Sequence, residues 1–465
     1  MSGQVPPNPA SQVYRTVNPS TGEVVREFAP LTDAEAEGLL ARAHAAYGSW
    51  RATTAAERAK LLANFADLVE ANARQLAALV TTEMGKPLAE AMDEAHAAAG
   101  MFRYYAALGE DLLADETVEV PGFSRSVTRR EPMGVVVGIE PWNGPMYMAM
   151  RVAAPNVMLG NTVLLKPAEI CAASTMFFDH LFVEAGFPAD VFQTALVSVA
   201  QISDYIDDPR VRAVTLTGSD RAGSAIGEQA GRNVKPVVLE LGGSDAFIVL
   251  DSADVKKAAD VASSRRLNWG GQICVSPKRV IVTDAIADEF IANYVETFAR
   301  QKVGDPFDPT TTVGPLSSVE AADGLQAQYQ DALDKGATPL TPGGRIAGPG
   351  AFFQPAVLTD ISPEMRIFSE EAFGPLGMVY RVADARAAVE LANASQYGLG
   401  ATVFGAEDEA REVAALLDTG GVGINGFLGA PIQIPFGGTK RSGLGRELGR
   451  SGMDQYANIK TYAIE

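Results

Sequence analysis

The chain has 465 residues, 47 % apolar and 20 % charged, an ordinary balance for a soluble protein and too long for one hydrophobic core, so two domains are expected. Its 38 basic and 57 acidic residues leave a formal charge of -19, which argues against a general binder of nucleic acid or anionic membrane, since both need a basic surface. No run approaches the roughly 20 apolar residues of a membrane span. The opening MSGQVPPNPASQVYR lacks a basic segment followed by an apolar one, so a cytoplasmic protein is expected.

Helical periodicity covers residues 33–48, 55–80 and 87–110, broken by TTEMGKP before the third. Strand-like runs follow: TVEV, SRSVTRREP and GVVVGIEP. Short apolar strands then alternate with helical patterns through NTVLLKPAE, VFQTALV, RAVTLTG, KPVVLELGG and AFIVLD, which predicts a parallel sheet built from crossovers. KRVIVTD, a helix over 284–302, GMVYRVAD, GLGATVFG and GVGING predict a second α/β domain.

Of the two cysteines, Cys171 opens a helix away from any motif and is expected to be structural. Cys274 sits in GQICVSPKR among Gly270, Gly271, Gln272 and Ser276, a polar, open setting foreign to a packing cysteine. Two cysteines make at most one disulfide, and His44, His96 and His180 are too far apart for ligand spacing, so no metal site is expected. GVGING matches the dinucleotide fingerprint, but no helix follows it to hold a pyrophosphate, so it is set aside. In LTGSD a strand runs straight into a helix, and Gly218 and Ser219 would let a phosphate approach the helix start. LLKPAE puts Lys166 and Glu169 at a strand's carboxyl end, where a carboxylate accepts ribose hydroxyls. PWNGP holds Asn143 between prolines as a fixed amide donor. LELGG ends an apolar strand with Glu240, whose burial would raise its pKa toward that of a general base. Each pattern also has a structural explanation when taken alone.

Together and in this order, PWNGP, LLKPAE, LTGS, LELGG, GQIC and EEAFGP resemble the aldehyde dehydrogenase superfamily over nearly the whole chain, including the 34 positions from Glu240 to Cys274. The resemblance implies that Cys274 is the nucleophile, that Asn143 and the Cys274 N–H stabilise the oxyanion, and that Glu240 is the general base. It implies cofactor contacts from Trp142, Lys166, Glu169, Gly218, Ser219, Leu241, Glu371 and Phe373. The carboxylate of Glu169 would repel a 2'-phosphate, so NAD is expected in preference to NADP. Glu240 favours the hydrolytic, acid-forming reaction over acyl transfer to coenzyme A.

LELGGSDAFIVLDSAD is similar to the shorter bacterial succinate-semialdehyde dehydrogenases, and Arg151 stands where that group holds a carboxylate tail. Asn268 and Pro431 depart from its pattern, while Gly144 replaces a bulky aromatic, which predicts a wider pocket beside Trp269 and leaves an aromatic aldehyde as the alternative substrate. A non-catalytic cofactor-binding protein and a nicotinamide-free acyl hydrolase are the readings outside this family chemistry. The implied architecture is an NAD(P)-binding Rossmann-like domain from residues 1–113 and 131–242, an α/β catalytic domain over 243–440, and a small β oligomerisation element from 114–130 and 441–465. A terminal strand open to pairing predicts a homodimer or homotetramer.

Overall fold

A computed structural model describes residues 13–465; residues 1–12, most of the opening segment read above, lie outside the described residues. Five apolar strands, Val135–Ile139, Thr162–Lys166, Phe192–Thr194, Val211–Thr217 and Val237–Glu240, form a parallel sheet in the spatial order fifth, fourth, first, second, third. Helices Pro145–Leu159, Ala172–Glu184, Val199–Asp207 and Asp220–Arg232 connect them in turn. The strand order reverses between Val135–Ile139 and Val211–Thr217. In open α/β sheets ligands bind at the strand carboxyl ends at such a reversal. Residues Pro141 to Asn143 follow the first of these strands, and Gly218 and Ser219 follow the second.

The helices Asp33–Trp50, Ala55–Ala71, Ala73–Met84 and Leu88–Leu113 precede this sheet; the first packs on its strands and the others on the helices Pro145–Leu159 and Ala172–Glu184 that cover it. Two of them start with capping boxes, Thr32 with Glu35 and Thr54 with Glu57, which satisfy the free N–H groups of the first turn. The helix predicted over 55–80 is two helices. Asn72 breaks it by leaving helical geometry and donating its amide to the Leu68 carbonyl at 2.8 Å, the competition for backbone that disfavours asparagine inside helices. Phe65 packs against Phe102 and Phe182 at 4.4 and 4.3 Å in the core between these helices and Ala172–Glu184.

Strands Asp245–Val249, Pro277–Thr283, Ala356–Thr359, Leu376–Val382, Gly400–Phe404 and Gly421–Ile424 build a second parallel sheet, in the order third, fourth, second, first, fifth, sixth, with Thr338–Pro339 antiparallel at one edge. Pro277–Thr283 is buried along its whole length, as expected for a strand covered on both faces. GVGING contributes the edge strand Gly421–Ile424, and the next element in the chain is the strand Thr439–Lys440, not a helix.

Glu116–Thr117, Arg125–Pro132 and Ala457–Ile464 make a separate three-stranded antiparallel sheet, with eight residue pairs joining the last two. TVEV contributes only its Thr117, the strand beginning one residue earlier at Glu116. The boundary at 441 is displaced: Gly443–Leu444 first adds an antiparallel edge to the cofactor-side sheet opposite Glu240 and Leu239, and the helix Gly449–Asp454 packs on Pro145–Leu159. Gly443 allows this because a β-carbon there would collide with the Leu239 carbonyl. Only the final strand belongs to the small sheet.

Candidate active site

The helix Val255–Leu267 ends in a turn in which Trp269, Gly270 and Gly271 all have positive φ, 52°, 61° and 73°. A side chain at Gly271 would drive into the Gly374 carbonyl, so glycine is required there. Arg266, fully buried, donates to the carbonyls of Leu376, Gly271 and Ala372 at 3.0, 3.0 and 2.7 Å and so braces the turn. Cys274 follows, half-buried, and among the described residues its N–H donates to no acceptor. Asn143 lies across from it, its Nδ2 donating to the Gln272 carbonyl at 3.0 Å. Lys278 lies beneath, donating to the carbonyls of Ile273 and Cys274 at 2.9 and 2.7 Å and pairing with Glu371 at 2.9 Å.

Two cavities meet at this thiol. One opens at the strand-order reversal and is lined by Trp142, Asn143, Gly218, Ser219, Leu241, Glu371 and Phe373. Ser219 caps the helix Asp220–Arg232 through the Ala222 N–H at 3.3 Å, so that helix presents its N-terminal dipole to the cavity. The Gly218 N–H donates to the Glu240 carbonyl at 2.9 Å, which makes Gly218 a spacer there and not a donor. Phe373 meets Trp142 edge-on at 5.6 Å. Lys166 and Glu169 lie one strand further along, ion-paired at 2.9 Å. The residues thus offer a dipole for a pyrophosphate and carboxylates for ribose hydroxyls, which fits a dinucleotide.

Glu240 ends its strand 2 % exposed, and neither carboxylate oxygen has a hydrogen-bond partner among the described residues. Burial and the nearby Glu447 carboxylate push its pKa well above the usual range, against the pull of Arg151 and Arg446. Glu140, buried in the same cluster, is pushed up for the same two reasons. Gly437 admits the Glu240 carboxylate, since a β-carbon there would stand 2.7 Å from Oε1. Burial pushes the Cys274 thiol up to about 12, with Lys278 opposing. A resting thiol with a fixed amide donor lining the same cavity and a buried carboxyl in electrostatic reach has the parts to form and then hydrolyse a covalent acyl intermediate.

Comparison with known proteins decides the matter: the sequence model described as "Aldehyde dehydrogenase family" matches residues 6–462. The chain belongs to the aldehyde dehydrogenase family. It is an NAD(P)-dependent oxidoreductase that oxidises aldehydes. Among curated relatives, succinate-semialdehyde dehydrogenase [NADP(+)] of Deinococcus radiodurans is 48 % identical over 96 % of this chain and 94 % of its own. Succinate-semialdehyde dehydrogenase [NADP(+)] 1 of Mycobacterium tuberculosis is 44 % identical over 97 % and 99 %. The crystal structure of succinic semialdehyde dehydrogenase from Streptococcus pyogenes in complex with NADP+ superposes with a TM-score of 0.95 at 39 % identity, covering 97 % of this chain and 99 % of that one.

The dehydrogenase's second cavity reaches Cys274 from the other side, past Tyr147, Arg151, Trp269, Ala430 and Phe436. Here two expectations change. Gly144 does not widen the pocket: the Trp269 indole fills the vacated space, with ring atoms 3.0 and 3.2 Å from where a β-carbon would stand, and Lys86 holds the ring from 3.3 Å above its centroid. Arg151 borders the cavity, yet its guanidinium is ion-paired with Glu447, both side chains almost fully buried. Phe436 covers it at 4.7 Å. Removing one member of a buried pair strands the other charge, so Arg151→Met is expected to destabilise the enzyme by about 3–5 kcal/mol, and the added Glu447→Gln to restore much of it. Denaturant unfolding reads this; unchanged stability in the single variant would make the pair dispensable.

Three residues around the site escaped the sequence reading: Lys278, Glu140 and Glu447. Lys278 had a signal, a lysine four positions after the cysteine. Glu447 pairs with Arg151 across 296 positions, which no local pattern reveals.

Proposed function

We propose that this enzyme oxidises a short aldehyde bearing a carboxylate, of the succinate-semialdehyde type, to its acid through a thioester on Cys274. The observation that carries the reading is the meeting of two cavities at Cys274, with the Asn143 amide lining one of them and the buried Glu240 carboxyl within electrostatic reach of the thiol. The thiolate of Cys274 attacks the carbonyl carbon, and the new oxyanion is received by the Cys274 N–H and the Asn143 amide, each donor being worth about 3–4 kcal/mol in comparable sites. Bound NAD(P)+ supplies the hydride acceptor for the resulting adduct. Glu240 then takes a proton from water as it attacks the thioester, and the acid leaves with Cys274 restored.

Trp142, Leu241, Ser219, Glu371 and Phe373 would line the cofactor, with Lys166 and Glu169 at the adenosine ribose and Gly218 as spacer. We take NAD as the preferred cofactor because a carboxylate at Glu169 opposes a 2'-phosphate. The relatives named for NADP(+) weigh the other way. Glu169→Ala is expected to raise the NADP-to-NAD ratio of kcat/KM about tenfold, one unit charge acting at a partly solvated site. A wild-type enzyme that already favours NADP would remove Glu169 from cofactor selection.

For the substrate, initial rates with succinic semialdehyde and benzaldehyde at matched concentrations are the test. A strong preference for benzaldehyde would favour the aromatic reading, which draws support from Tyr147, Trp269 and Phe436 around the cavity. The domain limits given above, shifted at 441, and a cytoplasmic homodimer or homotetramer complete the reading. Assembly is supported by the open edge of Ala457–Ile464, with Ile459 and Ile464 more than half exposed. Light scattering reads the assembly state.

A further inference from the structure

The substrate cavity must hold a cation free to meet a carboxylate tail, and Arg151 is taken by Glu447. The other charges there are committed or of the wrong sign. Glu94 pairs with buried Lys86 and accepts the Met146 and Tyr147 N–H groups at 2.8 and 3.0 Å. Glu90 accepts the Trp269 N–H at 3.1 Å. Asp93 is exposed and would repel an anion. Arg265 remains.

Arg265 stands next to the buried brace Arg266 but is itself exposed to solvent and borders the cavity. Its backbone is fixed beside the nucleophile's turn, because the Ser276 hydroxyl donates to its carbonyl at 3.1 Å. Its guanidinium lies 5.3 Å from the ring centroid of Phe427 and has no hydrogen bond or ion pair among the described residues. A guanidinium held against an aromatic ring keeps its N–H edge open, and that fork matches a carboxylate in two parallel hydrogen bonds.

We propose that Arg265 binds the carboxylate at the far end of the aldehyde substrate, in place of Arg151; this rests on the carboxylate-bearing substrate proposed above. Arg265 is a substrate-binding residue whose contribution falls on affinity, since it lies away from the reacting carbon. The Asp93 carboxylate at the same cavity opposes it, so neutralising Asp93 strengthens binding of the same substrate.

The test compares wild type, Arg265→Gln, Arg265→Lys and Asp93→Asn with succinic semialdehyde and with butanal, which has the same length and no carboxylate. Arg265→Gln is expected to raise KM for succinic semialdehyde about 20-fold, as loss of a charged hydrogen-bonded pair does, with butanal kinetics within about twofold of wild type. Arg265→Lys recovers part of the loss, and Asp93→Asn lowers KM. A wild-type preference for succinic semialdehyde that survives Arg265→Gln unchanged overturns the role of Arg265 and leaves the substrate reading standing. A wild type that prefers butanal or treats the two alike overturns the substrate reading, and the proposal with it.

Discussion

Cys274→Ala is expected to abolish turnover, with kcat falling by about 10⁴-fold or more, as when a covalent nucleophile is lost elsewhere. Binding of the dinucleotide, read by calorimetry, is expected to survive, because the cavity that holds it is lined mainly by other residues. Loss of both would point to a misfolded variant. The thiol's own titration is a companion measurement. Because burial pushes it up to about 12, the thiol is expected to be almost wholly protonated at neutral pH in the cofactor-free protein. Alkylation by iodoacetamide is therefore expected to climb steadily from about pH 7 to 10 without levelling. A plateau below about pH 8 would mean that Lys278 outweighs the burial.

Glu240→Gln is expected to separate the two halves of the reaction. Formation of the thioester continues, so mixing enzyme, cofactor and aldehyde gives a burst of NAD(P)H close to one equivalent of active sites. The steady rate then falls by about 10² to 10⁴, the usual contribution of a positioned general base. The sign of its pH dependence follows from the environment. Glu240 must be deprotonated to accept a proton from water, and burial with Glu447 beside it raises its pKa, so hydrolysis weakens as pH falls through that raised value. In Glu240→Gln this limb is expected to vanish. Full steady turnover in the variant would exclude Glu240 as the base.

What the sequence made legible was local. The alternation of apolar strands with helices gave both parallel sheets, and the short motifs located each wall of the cofactor cavity, because strand ends and the turns after them are contiguous in the chain. The failures came from contacts between distant segments. Gly144 announced an empty space, but its occupant, Trp269, arrives from a turn 125 positions away and is held by Lys86. Arg151 read as a free fork because its partner Glu447 lies near the other end of the chain. Arg265 went unnoticed in SSRRL, where two adjacent arginines look alike until one is seen buried against five backbone and hydroxyl acceptors and the other exposed beside the substrate cavity.

The return of the carboxyl-terminal segment onto the strand that ends in Glu240 bears on how the protein is made. Gly443 and Leu444 pair with that strand, the Ser442 carbonyl accepts the Leu241 N–H at 2.9 Å, and Glu447 pairs with Arg151 behind it. Residues 442–447 are translated after both parallel sheets. Until they emerge, the nascent chain can form its helices and parallel sheet cores, but Glu240 lacks their cover and Arg151 its partner. Competence to hydrolyse a thioester is thus acquired only once this segment has folded back, and a chain truncated before residue 443 is expected to turn over nothing.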